Sequence, residues 1–294
     1  MKPFHESLVE RLLNYRAERK FSSKEWISKK IDLLNNYFLA NKLKACCISL
    51  SGGIDSAVVL ALAKKAQEEP YSPIERVVAI SQPILSSDWA LQRAKECAKK
   101  FNSEFVVIDQ TDLHFLLKNK IDKALEITGG KFASGQLRSY MRTPSNYYVA
   151  QLLSQEGLTC AVLGTGNKDE DGYLAYFCKA GDGVVDIQLI ADLHKSEVFQ
   201  VGRALGVPCS ILDAKPSADL WAGQEDEDEL GFPYDFVELF TGKYLPLSEE
   251  KKELFLDSLG KEARDQFLLW KSKAESIHYK NCHKFNFPVN LNVL

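Results

Sequence analysis

The sequence predicts an open parallel α/β sheet with helices on both faces and extra helices at either end. Three observations predict it. From about residue 45 to residue 205, short apolar runs rich in β-branched residues alternate with stretches of helical periodicity. Those runs are nearly continuous rather than alternating, the pattern of strands covered on both sides. The 294 residues are 45 % hydrophobic and 26 % charged, the proportions of a globular chain long enough to bury a large core. The chain reads as one domain, 1–294. Its parts are amino-terminal helices over 1–44, the alternating core over 45–245 and a helical extension over 246–294.

Leu8, Val9, Leu12, Leu13 and Tyr15 keep near-helical spacing, as do Trp26, Ile27, Ile31, Leu34, Tyr37 and Phe38, so two amphipathic helices come first. Ser22 or Ser23, followed by Glu25 and Trp26, caps the second. Strands are expected at Ala45–Leu50, Arg76–Ser81, Glu104–Asp109 and Cys160–Gly164. Helices are expected at Asp55–Glu68, Ser87–Phe101, Asp112–Ile127 and Gln136–Gln155. A further helical run, Lys195–Leu205, stops at Gly206 and Pro208. From about Ser248 the pattern is helical again, ending in an irregular tail from Asn281.

Lys+Arg 37 against Asp+Glu 40 leaves a net charge of −3, without the basic surplus that phosphate contacts to nucleic acid require. No nucleic-acid partner is expected. The longest apolar run, Ala57–Ala63, falls far short of the roughly 18 residues of a membrane helix. Glu6, Glu10 and Arg11 interrupt what would have to be a signal segment. The cysteines number seven, an odd count with no C-x-x-C, which points to reduced thiols and a cytoplasmic setting.

The segment Ser49-Leu50-Ser51-Gly52-Gly53-Ile54-Asp55-Ser56 carries the most chemistry. A strand runs into a glycine pair between serines, and a helix starts near Asp55. Glycines let the backbone turn tightly and present its N–H groups, and a helix amino terminus adds partial positive charge; together they suit phosphate. Ser51 and Ser56 add hydroxyls. Asp55 would repel phosphate directly and makes sense holding a Mg²⁺ that bridges to it. Neither G-x-x-x-x-G-K-[ST] nor G-x-G-x-x-G occurs.

This S-G-G-x-D-S loop resembles that of the PP-loop ATP pyrophosphatases, whose fold is the adenine-nucleotide alpha hydrolase type. Four later segments resemble the ammonia-dependent NAD synthetases among them. Leu163-Gly164-Thr165-Gly166-Asn167-Lys168-Asp169-Glu170 is similar to that family's G-T-G-N-K-S-E, whose threonine contacts ATP and whose glutamate holds Mg²⁺. An acid at the carboxyl end of a second parallel strand can reach across the switch point toward Asp55. Tyr176-Phe177-Cys178-Lys179-Ala180-Gly181-Asp182-Gly183, with Asp186 beyond, resembles G-Y-F-T-K-Y-G-D-G…D, whose lysine and last aspartate hold the pyridine nucleotide. Asp192-Leu193-His194-Lys195 resembles G-L-x-K, whose lysine contacts ATP phosphates; His194 reads as an ordinary residue. Lys215-Pro216-Ser217-Ala218-Asp219-Leu220-Trp221 through Gly231 resembles P-[ST]-A-D-L-W-x-G-Q-x-D-E-D-E-L-G, placing Ser217 at ATP and the acidic run in a flexible covering segment. His283-Lys284 echoes a carboxyl-terminal H-K-R that binds substrate.

Two departures stand out. One extra residue lies between Thr165 and Lys179. Counting forward puts the metal acid at Glu170, counting back puts it at Asp171, and the longer side chain with the G-T-G-N-K register favours Glu170. The family's N-x-x-A-R-x-R is replaced by Gln136-Leu137-Arg138-Ser139-Tyr140-Met141-Arg142. Arg138 and Arg142, four apart, share a helix face and could clamp a phosphate together.

The resemblance implies adenylation of deamido-NAD by ATP with Mg²⁺, release of pyrophosphate, and amide formation from ammonia. Lys195 would neutralise the leaving pyrophosphate and Asp182 would orient ammonia or take its proton. Only about forty-five residues precede the loop, so an attached amidase domain is not expected and ammonia would be free or supplied by a separate subunit. Family members are homodimers. Leu137, Tyr140, Met141, Tyr147, Tyr148, Val149, Leu152 and Leu153 spread apolar surface over more than one helix face, which also points to a two-fold partner.

Overall fold

The structure, a computed structural model, describes residues 3–214, 216, 226–286 and 291. Helices α1 (Glu6–Arg19) and α2 (Ser23–Ala40) precede β1 (Ala45–Ser49), α3 (Ile54–Glu68), β2 (Arg76–Ser81), α4 (Asp88–Lys100) and β3 (Glu104–Val107). Helices α5 (Thr111–Leu125) and α6 (Lys131–Gln155) lead to β4 (Cys160–Gly164), the short β5 (Ile187–Gln188) and α7 (Lys195–Leu205). Then come α8 (Cys209–Leu212), α9 (Asp226–Leu230), α10 (Tyr234–Glu238), α11 (Glu249–Asp257) and α12 (Lys261–Asn281). Ser22 caps α2 through the Glu25 N–H, and Gly206 closes α7 in the left-handed conformation, as the sequence signals require.

The strands form one parallel sheet in the order β3-β2-β1-β4-β5. Ile48 of β1 is flanked by Ala79 of β2 and Leu163 of β4. One face, with Cys46, Ile48, Val77, Ala79 and Leu163, packs against α2, α3, α4 and α7. The other, with Ala45, Cys47, Val78, Ile80 and Val162, is covered by Ala150 and Leu153 of α6. Residues alternating along each strand therefore feed two cores, which is why the strands lack a polar face. A third core joins Leu8 and Leu12 of α1 to Phe236, Phe240, Phe267 and Trp270 near the carboxyl end.

Several details differ from expectation. β3 stops at Val107 because it is an edge strand with exposed ends. Helix α6 begins at Lys131, five residues early, after the Gly129-Gly130 break. The two-residue β5 has too short an apolar run to be legible. No helix among the described residues is long and apolar enough to cross a membrane.

Candidate active site

The chain order of the strands reverses between β1 and β4, and a crevice must open where the connections leave in opposite directions. A cavity of about 670 Å³ lies there, bordered by the loop after β1, the segment after β4, α6, the start of α7 and the carboxyl-terminal tail.

The loop after β1 is built as its residues require. Gly52 has φ +86°, and a Cβ on it would sit 2.4 Å from the Ala90 carbonyl oxygen, so no other residue fits. The Ser51 and Ser56 hydroxyls lie 3.1 Å apart, and Ser51 Oγ accepts the Gly53 N–H at 3.2 Å. Behind the loop, the Ser49 hydroxyl meets a buried amide cluster: Asn146 Nδ2 at 2.9 Å and Gln82 Nε2 at 3.1 Å, with Gln110 donating to Gln82 at 2.6 Å. These amides were not legible in the sequence, because Gln and Asn outside a motif give no local signal.

At the crossing itself, Lys195 Nζ lies 2.6 Å from Asp55 Oδ2 and 2.7 Å from Glu170 Oε1. Asn167 Nδ2 donates to the other Asp55 oxygen at 2.9 Å, and the Tyr234 hydroxyl donates to Glu170 Oε1 at 2.7 Å. Burial alone would strip the lysine proton, but the two carboxylates outweigh it and hold Lys195 above its ordinary pKa. Burial pushes Glu170 upward too. The Lys195 charge, with hydrogen bonds from Lys195, Tyr234 and Asn167, more than reverses that, and Glu170 ends below the usual carboxylate range. Asp55 ends raised: burial leads, Glu170 repels it, and Lys195 offsets only part.

Residues Lys168–Tyr173 form a wide π turn broken at Gly172. It sends the two neighbouring acids different ways. Glu170 meets Lys195, while Asp171 folds over Gly166, where a Cβ would come within 1.7 Å of Asp171 Oδ2. Burial and then the charges of Asp182, Glu170 and Asp55 push Asp171 well up. Asp182 is also raised by burial, although its Oδ1 accepts the Cys178 N–H at 2.9 Å and the Ser139 hydroxyl at 3.1 Å.

Ser49, Leu50, Ser51, Gly52, Gly53, Ile54, Asp55, Ser56, Thr165, Glu170, Asp182 and Lys195 all border the cavity, with Arg142, His283 and Lys284. Three expected residues are not among its lining. Arg138 sits beside His114, whose pKa is lowered by burial and then by the Arg138 charge. Lys179 donates to the His283 and Asn286 carbonyls, and Asp186 accepts from Val162 N–H and the Tyr147 hydroxyl. Arg142 instead borders the cleft and donates to the Gln82 carbonyl at 3.3 Å, so of the two arginines it is Arg142 that lines the cavity. Ser217 lies outside the described residues.

A family model described as NAD synthase matches residues 26–284. The chain belongs to the NAD synthase family. A curated relative, the NH(3)-dependent NAD(+) synthetase of Methanococcoides burtonii, is 35 % identical over 210 residues, covering 71 % of this chain and 74 % of that one. The NMN synthetase structure from Francisella tularensis superposes with a TM-score of 0.75 at 28 % identity, over 93 % of this chain and 100 % of that chain. The NH3-dependent NAD synthetase from Campylobacter jejuni gives 0.67 at 22 %, over 92 % and 100 %, a likeness of fold. The family resemblance carried by five short motifs therefore extends across nearly the whole chain.

Proposed function

We propose that this chain is an ammonia-dependent NAD synthetase, a carbon–nitrogen ligase acting on ATP, deamido-NAD and ammonia. The observation that carries the reading is the junction of Lys195, Asp55 and Glu170 at the sheet's switch point, directly beside the Ser51–Ser56 loop. A nicotinate carboxylate is already a nucleophile, so the protein must orient it and neutralise charge. Its oxygen attacks the α-phosphorus of ATP, the bond to the β-phosphate breaks, and pyrophosphate leaves toward Lys195 and the loop N–H groups. Ammonia then attacks the acyl carbon, loses a proton, and AMP departs with the electron pair. Asp182, buried beside the cleft and raised in pKa by that burial, would orient ammonia and take that proton. Arg142 and Lys284 would supply cations, and His283 a polar ring, to the acceptor's phosphates; Arg138, Lys179 and Asp186 would reach it only through a second subunit or a rearranged loop.

Asp55 and Glu170 bring hard carboxylate oxygens to one point, a donor pair that fits Mg²⁺, and these two residues would hold it. When bound, Mg²⁺ neutralises developing phosphate charge. The assembly is read as a homodimer. On α5, Leu113, Phe115, Leu116, Ile121 and Leu125 are exposed, as are Phe132, Tyr140, Tyr148 and Leu152 of α6; a second copy covers this surface best. The interior chemistry, with its reduced cysteines, is in keeping with a cytoplasmic enzyme.

A mononucleotide acceptor is the second reading. The NMN synthetase from F. tularensis has the higher TM-score of the two structures, and Tyr140 here replaces a pattern arginine, removing one cation from the substrate side. Purified protein with ATP, Mg²⁺, ammonium and deamido-NAD is expected to give NAD, AMP and pyrophosphate in equal amounts. Formation of ADP and phosphate would overturn the mechanism. A higher kcat/KM with nicotinate mononucleotide in competition would select the second acceptor.

A further inference from the structure

Directly under the Lys195 junction lies a buried pair that the proposed chemistry does not use. His194 and Asp169 are 0 % and 1 % exposed, and His194 Nδ1 is 2.6 Å from Asp169 Oδ1. The other carboxylate oxygen, Oδ2, accepts the backbone N–H of Lys195 at 2.7 Å. On the far side of the ring, Nε2 lies 3.2 Å from the Tyr15 hydroxyl of α1 and 3.3 Å from Lys168 Nζ. One proton arrangement satisfies every contact: Nδ1–H donates to Asp169, and Nε2 accepts from Tyr15 and Lys168. Asp169 is also fixed from the front, because Asn167 Oδ1 accepts the N–H groups of Asp169 and Glu170 at 3.0 Å each.

The consequence is geometric. Glu170 and Lys195 meet at their tips, and Asp169 ties their backbones together at the root, since it precedes Glu170 and holds the Lys195 amide. The family pattern G-T-G-N-K-S-E has serine where this chain has Asp169, and G-L-x-K leaves the His194 position open. A serine has one short-armed oxygen and cannot give separate oxygens to the Lys195 N–H and the His194 ring. A lysine side chain carries large rotamer freedom, so where its root is anchored decides where its ammonium spends its time.

We propose that Asp169, oriented by His194, is the positioning residue for Lys195, aiming its ammonium at the phosphates of ATP. This rests on the ATP-binding reading above. The test is a mutant cycle read by isothermal titration of ATP in the presence of Mg²⁺, with kcat and KM measured alongside. Asp169→Ala is expected to weaken ATP about tenfold and to lower kcat about tenfold to a hundredfold, the scale of a 1 Å misplacement, while KM for the nucleotide acceptor stays within twofold. Asp169→Asn, which keeps an acceptor for the Lys195 N–H, restores most of both. In a Lys195→Met background, Asp169→Ala adds less than about twofold, because the group it aims is gone.

Equal losses in both backgrounds, or no loss in the first, would overturn the proposal. If Asp169→Ala does not fold, His194→Asn takes its place in the same cycle with the same criteria. Wild-type protein that binds no ATP would overturn the reading of the whole site, whereas normal wild-type binding with additive variants removes Asp169 alone.

Discussion

Two adjacent acids acquire different chemistry from their surroundings alone. Glu170 is stabilised as a carboxylate by Lys195 and Tyr234, while Asp171, one residue on, is packed over Gly166 among other acids and driven to keep its proton. Glu170→Gln and Asp55→Asn are therefore expected to reduce pyrophosphate release at least about a hundredfold, since each removes a carboxylate that holds the Lys195 ammonium and would hold Mg²⁺. Asp171→Asn, isosteric with the protonated acid, should keep most of the rate. Greater damage from Asp171→Asn than from Glu170→Gln would move the metal-binding role one residue along. Counting from the G-T-G-N-K register already favoured Glu170. His194 was different. A lone histidine between leucine and lysine carries no local signal, and its partner Asp169 lies twenty-five residues away.

Among the elements, α1 shows how a terminal helix serves a distant centre. Its apolar stripe, Leu8 and Leu12, was legible from spacing and is buried. Its polar face has partners no periodicity identifies. Arg16 binds both oxygens of the buried Glu238 at 3.1 and 2.6 Å, and Ser196, next to Lys195, donates to the same carboxylate at 2.8 Å. Arg19 pairs with Glu197 in the first turn of α7. Removing Arg16 leaves Glu238, 1 % exposed, with an uncompensated charge. Arg16→Ala should cost about 2 kcal/mol of stability, below the usual 3–5 for a fully buried pair because Arg16 is itself partly exposed. Urea unfolding measures it. Adding Glu238→Gln should recover much of the loss, and failure to recover would show that Arg16 acts through packing instead.

For the molecule as a whole, α5 and α6 leave a run of large apolar side chains exposed. Light scattering at micromolar concentration is expected near twice 33.1 kDa. Leu116→Lys with Leu125→Lys, each exposed on α5, should shift the protein toward monomer and lower activity together. A monomer that stays fully active on dilution would show that each chain completes its own site.

By itself the sequence determined the strand–helix alternation, the parallel sheet and the glycine turn after β1, because burial on both faces, glycine turns and helix caps are written in residues close together in the chain. Local motifs also named Asp55, Glu170 and Lys195. Only the tertiary structure decided that these three share one point, that Arg142 and not Arg138 lines the cleft, and that Asp169 with His194 lies beneath the lysine. The reason is distance along the chain. Asp55 and Lys195 are 140 residues apart, and side chains so separated meet only through the packing of β1 beside β4, which no local pattern encodes.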